Sequence, residues 1–447
     1  MKPIEWIDWV SRLFGARAFK LEKAVLRNFD SAAPLDRVLG SKEELRRLRD
    51  VVESFCRNID CNPFLSPIGR FLIKKLTVRA TKKRKEVLRN YHSNRQFIDA
   101  NGKFERPLIV TGMPRTGTTL LQRLLAEDPN TRSPYTFEME QPIPPLLSGD
   151  DPLADPRIKR SSGGTRRMSV LAHGFMEKLA ESHLWSATEM EESLIYMVGH
   201  QGIGPMNVVS AGKEFVNEFL DIESKRPIFR YERLFFTMLD AYCPAPSHWT
   251  LKAPFYALFF PLIFEEYRDA NVVLTHRNPL VTLPSVCRVL ESWCVAMDQD
   301  GYFDKHRFGR WAKPFFEASM TVPFEYRKQH PEMEDRIFDC VYEDLFSRPI
   351  DVVKRIYRRF DLEYSEVFEE RMTRYLENNR QGKYGRHKYS LEEYNFDGET
   401  LYQEYKEYMD HFGFGLVREL KRPMSFDFGL EPPNPRNNGG GEVESTQ

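Results

Sequence analysis

The sequence predicts an α/β fold: a P-loop-type central parallel sheet flanked by helices, with an N-terminal helical extension and a helical insert. Three observations predict it. The apolar run Leu108 to Val110 leads directly into a Gly-rich turn, as a buried parallel strand does. Three later segments, "HWTLKAP" (248–254), "NVVLTHRNP" (271–279) and "RIFDCVYEDL" (336–345), read as further core strands. Helical segments separate these runs, and strands alternating with helices build a mainly parallel sheet.

The elements follow in chain order. Trp6, Trp9, Val10, Leu13 and Phe14 recur at helical spacing, so residues 4–15 are expected as an amphipathic helix. Such a helix packs on its own core or meets a membrane surface or partner. Residues 41–57 and 66–92 are also expected as helices, the second strongly basic. Its charges suit a solvated face or an anionic partner. Together these form an N-terminal helical region over residues 1–100. A larger domain is expected over 101–430, opened by "RPLIVTG" (106–112) and a helix from Thr118 to Ala126. An insert at about 140–247 carries Pro-rich turns, the polar loop "KRSSGGTRRMS" and helical stretches rich in Met, Phe and Leu. The Pro-, Gly- and Asn-rich tail at 431–447 is expected to be disordered.

Composition narrows the function classes. A chain of 447 residues can bury a large core. Basic and acidic residues balance at 65 each, which argues against a general nucleic-acid binder, since that needs a basic surplus. The six cysteines form no CxxC pair. A metal cluster is therefore not expected, and a reducing, cytoplasmic setting is. The apolar run "FYALFFPLIF" (255–264) is too short to span a bilayer, so a soluble chain is expected.

The stretch "VTGMPRTGTTLLQRLLAEDP" (110–129) carries the most chemistry. Gly112 and Gly117 have Walker A spacing and Thr119 fits its last place, but Thr118 stands where the lysine belongs. A strand–loop–helix unit aims backbone N–H groups and a helix dipole at one spot, which binds phosphate or sulfate. The two glycines allow close approach, the threonine hydroxyls can donate, and Arg115 can set its guanidinium against the same group. The missing lysine speaks against a nucleoside triphosphate.

"GMPRTGTTLL" resembles the 5′-phosphosulfate loop of sulfotransferases that use 3′-phosphoadenosine 5′-phosphosulfate. All six places of the family pattern P-[KR]-[ST]-G-T-T are filled by Pro114 to Thr119. The resemblance implies that Arg115, Thr116, Gly117, Thr118 and Thr119 bind the nucleotide. "LTHRNPLVTLPS" (274–285) is similar to the family segment whose Arg and Ser, eight residues apart, hold the 3′-phosphate; this assigns Arg277 and Ser285. "VYEDLFSRPIDVVKRIYRRFDL" (341–362) resembles the family's YEDL segment, a strand leading into an amphipathic helix with a structural role. "GKYGRHKYSLEEYNFD" (382–397) resembles the basic loop that closes over the nucleotide, implying Lys383, Arg386 and His387 at the 3′-phosphate.

Catalysis then needs a base for the acceptor hydroxyl and cations on the leaving oxygen. Arg115 and Lys252 are the expected cations. Cytosolic sulfotransferases place a catalytic His in a K-x-H segment, whereas Lys252-Ala253-Pro254-Phe255 is similar to the K-x-P-F of tyrosylprotein sulfotransferases, which use a Glu after the loop helix. Glu138 and Glu140 lie in that neighbourhood. Glu138 is preferred because F-E-x-x-x-P resembles the W-E-x-x-x-P of bacterial-type sulfotransferases. His183 and Glu192 are candidates for the acceptor pocket, and His276 reads as a packed histidine. The expected co-substrate is therefore 3′-phosphoadenosine 5′-phosphosulfate, without a metal. The expected acceptor is the hydroxyl of a small molecule, possibly lipophilic, or a glycan. A P-loop small-molecule kinase and a catalytically inactive binding protein of the same fold remain the alternatives.

Overall fold

The computed structural model describes residues 20–161, 186–204, 207–297, 303–379 and 390–416. The helix expected over 4–15, His183, the loop holding Lys383, Arg386 and His387, and the tail at 431–447 lie outside the described residues.

Among the helices that precede the sheet are α1 (Glu22–Asp30), α2 (Lys42–Cys61) and α3 (Pro67–Ser93). α2 starts where the sequence demands. Ser41 accepts from the Glu44 N–H while Glu44 reaches back to the Ser41 N–H, a closed capping box. α3 starts at Ser66, which accepts from the Gly69 N–H, with Pro67 in the first turn. Arg84, in the basic stretch of α3, is not solvated. It is buried and pairs with Asp36 at 2.7 Å, while its Nε donates to Gln201 at 2.6 Å.

The sheet has five parallel strands in the order β2-β3-β1-β4-β5: β1 (Leu108–Gly112), β2 (Thr131–Arg132), β3 (His248–Lys252), β4 (Asn271–His276) and β5 (Ile337–Val341). Each of the four expected strands forms at the expected place. β1 and β3 are buried along their whole length, as continuous apolar strands covered on both faces are. β2 is an addition. Two residues carry no periodic signal, and this edge strand exists because Thr131 and Arg132 pair with His248 and Trp249. The expected strand over 336–345 stops at Val341. Tyr342–Ser347 is a short helix instead, α10 below, because Leu345 and Tyr342 turn inward under the Gly117 loop.

Helices cover the sheet: α4 (Thr118–Leu125), α5 (Thr136–Glu140), α6 (Ser193–His200), α7 (Arg226–Tyr242), α8 (Pro279–Met297), α9 (Lys305–Gln329), α10 (Tyr342–Ser347) and α11 (Pro349–Arg359). One apolar core runs from Val25, Phe55 and Ile73 in the N-terminal helices to Ile109, Leu251 and Val272 in the sheet. The N-terminal helices therefore share the core of the sheet. Among the described residues no helix is long and apolar enough to cross a membrane.

Candidate anion-binding and transfer site

β1 is the central strand, and the Gly112–Thr119 turn, Arg277 and Ser285 gather at its C-terminal end. Gly112 has φ 138° and packs against β4 so closely that a Cβ there would lie 2.4 Å from the Thr275 carbonyl. Arg115 and Gly117 have φ 70° and 91°. A non-glycine residue in this region is strained, and such strain concentrates at binding sites. The turn passes straight into α4, whose first N–H groups have no partner within the helix. The result is a backbone concavity of the kind that binds anions.

The second basic residue comes to the same loop from β4. Arg277 follows that strand directly, is buried, and donates from Nη1 to the Arg115 carbonyl at 3.0 Å. Arg115 in turn donates from Nε to the Ser285 hydroxyl on α8 at 3.3 Å. Tyr342 of α10 lies under the Arg277 guanidinium, ring centroid 4.2 Å away. Arg115, Arg277 and Ser285 thus form one connected polar surface on neighbouring strand tips. Sequence reasoning missed Tyr342 as the supporting ring. Its place in the YEDL segment was the available signal.

Thr116 differs from its neighbours. It is buried; its hydroxyl donates to the Met113 carbonyl at 2.6 Å and lies 2.5 Å from the Thr275 hydroxyl. That hydroxyl fastens the loop to β4, leaving only its backbone N–H for a ligand. Thr118 and Thr119 begin α4, Thr118 buried and Thr119 half-buried.

On the other side, β3 carries Lys252, placed opposite Val110 of β1 and only 1% exposed. Its ammonium donates to the Glu192 carboxylate at 3.0 Å. Glu192 stands just before α6, without a side-chain capping bond, and the segment before it is tied to the loop helix. Gln122 donates to the Glu191 carbonyl at 3.5 Å, and Arg123 pairs with Glu189 at 3.2 Å. Behind the pair lies a buried relay. Ser193 contacts the Tyr256 hydroxyl at 2.7 Å; Tyr256 and Tyr267 donate to Glu232 at 2.8 and 2.6 Å. Burial pushes the Glu232 carboxyl up to about 7, against the hydrogen bonds of those tyrosines and Ser193.

Glu138 sits elsewhere than a free base would. It is fully buried. One carboxylate oxygen takes the Arg132 guanidinium at 2.6 Å, and the other takes the Tyr135 N–H at 3.1 Å to cap α5. Glu140 accepts from Ser161 at 2.6 Å. His276 is packed as expected: its ring bonds the Tyr408 hydroxyl at 2.7 Å and the Asp339 carboxylate at 2.8 Å. Burial holds its imidazole below the ordinary value despite that carboxylate. Glu343 is exposed and Asp344 pairs with Arg348 and Arg355, so both lie on the outer surface of α10. Among the described residues no group of three or more His, Cys, Asp or Glu side chains is arranged to hold a metal ion.

A family model described as "Sulfotransferase family" matches residues 107–366. Two solved structures are similar over most of both chains. Sulfotransferase STF9 from Mycobacterium avium superposes with a TM-score of 0.75 at 24% identity, over 87% of this chain and 97% of that one. Sulfotransferase STF1 from Mycobacterium tuberculosis H37Rv superposes with a TM-score of 0.64 at 21% identity, over 87% of this chain and 100% of that one. A search of curated proteins finds no match.

Proposed function

The chain belongs to the sulfotransferase family, and from that premise we propose that it moves a sulfuryl group from 3′-phosphoadenosine 5′-phosphosulfate to the hydroxyl of a small-molecule or glycan acceptor. One observation carries the reading: Arg277 hydrogen-bonds the carbonyl of Arg115, which itself reaches Ser285. A ligand with an anionic group at each end of one adenosine needs two such basic points at a fixed spacing.

In this reading the N–H groups from Thr116 to Thr119 and the Arg115 guanidinium receive the 5′ end. Arg277 and Ser285 receive the 3′-phosphate, joined by Lys383, Arg386 and His387 from the segment outside the described residues. Lys252 neutralises charge on the leaving oxygen. The acceptor proton goes to a carboxylate. Glu138 is the choice that the motif implies, but its oxygens are both engaged and it has no exposed surface. Glu192, part-exposed and beside Lys252, fits the task better. The cytoplasmic setting expected from cysteine usage belongs to the same proposal.

The test is a transfer assay with sulfate-labelled donor and a panel of hydroxyl compounds, paired with calorimetry of adenosine 3′,5′-bisphosphate and ATP. Labelled product and preference for the bisphosphate support the proposal. Tight ATP binding with none for the bisphosphate would favour a kinase. Bisphosphate binding with no transfer to any acceptor would favour an inactive binding protein.

A further inference from the structure

Between α3 and α6 lies an open, mostly apolar cavity of about 190 Å³. Leu76, Thr77 and Ala80 of α3 face Ile195 and Gly199 of α6 and Ile203 beyond it. On α3 these are one stripe at helical spacing. On the other wall, residues 195, 199 and 203 repeat every four residues, and Glu192 stands three residues before the first of them. Ile195 and Gly199 share one face of α6, Ile203 lies past its end, and Glu192 is the residue just before its start. In sequence the first α6 residue of the lining, Ile195, stands three residues past Glu192, which pairs with Lys252.

Resting on the sulfotransferase reading, we propose that this cavity holds the body of the acceptor, and that the acceptor is an apolar alcohol whose hydroxyl lies at Glu192 and Lys252. The volume exceeds the roughly 150 Å³ of an engineered apolar cavity in another protein that takes up benzene, so a ring or a short alkyl chain fits. Polar side chains line the hollow as well: Arg79, Lys83 and Glu140, together with His200 and Asn207. His200 is neutral, since burial carries its imidazole down to about 3, and its ring is engaged by the Tyr231 hydroxyl at 3.0 Å. Asn207, also buried, lines the same wall with an amide nitrogen that has no hydrogen-bond partner. An oxygen partway along the acceptor's body can satisfy it. Leu76, Ala80, Ile195 and Ile203 line much of the hollow, which suits an apolar body better than a sugar with hydroxyls on every side.

The experiment is calorimetry of the full chain with straight-chain primary alcohols from hexanol to decanol, and separately with adenosine 3′,5′-bisphosphate. Affinity should rise about fourfold per methylene until the cavity is full. Ala80→Trp, which fills the hollow from α3, should abolish that dependence and leave bisphosphate affinity within twofold. Gly199→Leu does the same from the other wall should the first variant fold poorly, as thermal melting will report. Affinity that ignores chain length in the wild-type chain, or a slope that survives both substitutions, overturns the inference. A slope that both substitutions erase, in a chain that does not bind the bisphosphate, supports the cavity and removes the donor reading instead.

Discussion

Glu138 is tied to Arg132, and Glu192 is the base proposed in its place. In Glu138→Gln the Arg132 guanidinium loses its carboxylate in a buried site, which typically costs about 3 kcal/mol or more. The expected outcome is a lower melting temperature with turnover per folded molecule little changed. In Glu192→Gln the buried Lys252 also loses its carboxylate, so melting should fall too, but kcat per folded molecule should fall about a hundred- to ten-thousand-fold, the usual contribution of a placed base. The reverse pattern would restore Glu138 to the chemistry. Arg277→Ala should weaken adenosine 3′,5′-bisphosphate about ten- to a hundredfold, as loss of a charge-assisted hydrogen bond does; equal affinity in calorimetry would exclude the assigned contact. The motif could name a glutamate after the loop helix but not its partners. Arg132 is six residues away in sequence and visible, yet nothing in its spacing to Glu138 says that the two are buried together. Lys252 and Glu192 are sixty residues apart, and only the fold joins them.

The anion loop and the strands around it belong to the scale of elements. Gly117→Ala places a methyl 3.1 Å from Leu345 and 3.2 Å from Tyr342 on a residue with φ 91°. Both the strain and the contact act on the same turn, so a loss of about 1–3 kcal/mol in stability is expected, together with weaker nucleotide binding. Unchanged melting and affinity would show that the turn tolerates a side chain. The strands were legible because a fully covered strand must be continuously apolar, as Leu108 to Val110 and Val272 to Leu274 are. β2 was not, since its two residues owe their conformation to Trp249 next door. The burial of Arg84 was not legible for a related reason. A lysine- and arginine-rich helix looks solvated throughout, while the Asp36 that draws one arginine inward comes from another element.

At the scale of the whole molecule, the buried Glu232 links fold stability to pH. Its carboxyl is raised to about 7 in the folded chain, above an ordinary carboxylate. Between the ordinary value and about 7 the unfolded chain ionises while the folded chain keeps the proton, so rising pH favours unfolding in that window. Glu232→Gln, which mimics the protonated form, should therefore gain melting temperature relative to the wild-type chain as pH goes from 5 to 8. A difference that stays flat or shrinks over that range would contradict the assignment. Since Ser193 joins this relay one residue after Glu192, the same titration should be followed in kcat.

Lys252, Arg115 and Arg277 stand at or just past the tips of three consecutive strands, β3, β1 and β4. Neighbouring strands lie about 4.8 Å apart, and a close-packed sheet cannot stretch. The sheet is thus a measuring device with three marks, and a guest must match its graduations. For the proposed donor, moving one phosphate from the 3′ to the 2′ oxygen of the ribose changes neither charge nor size, yet should weaken binding by taking that group off the scale.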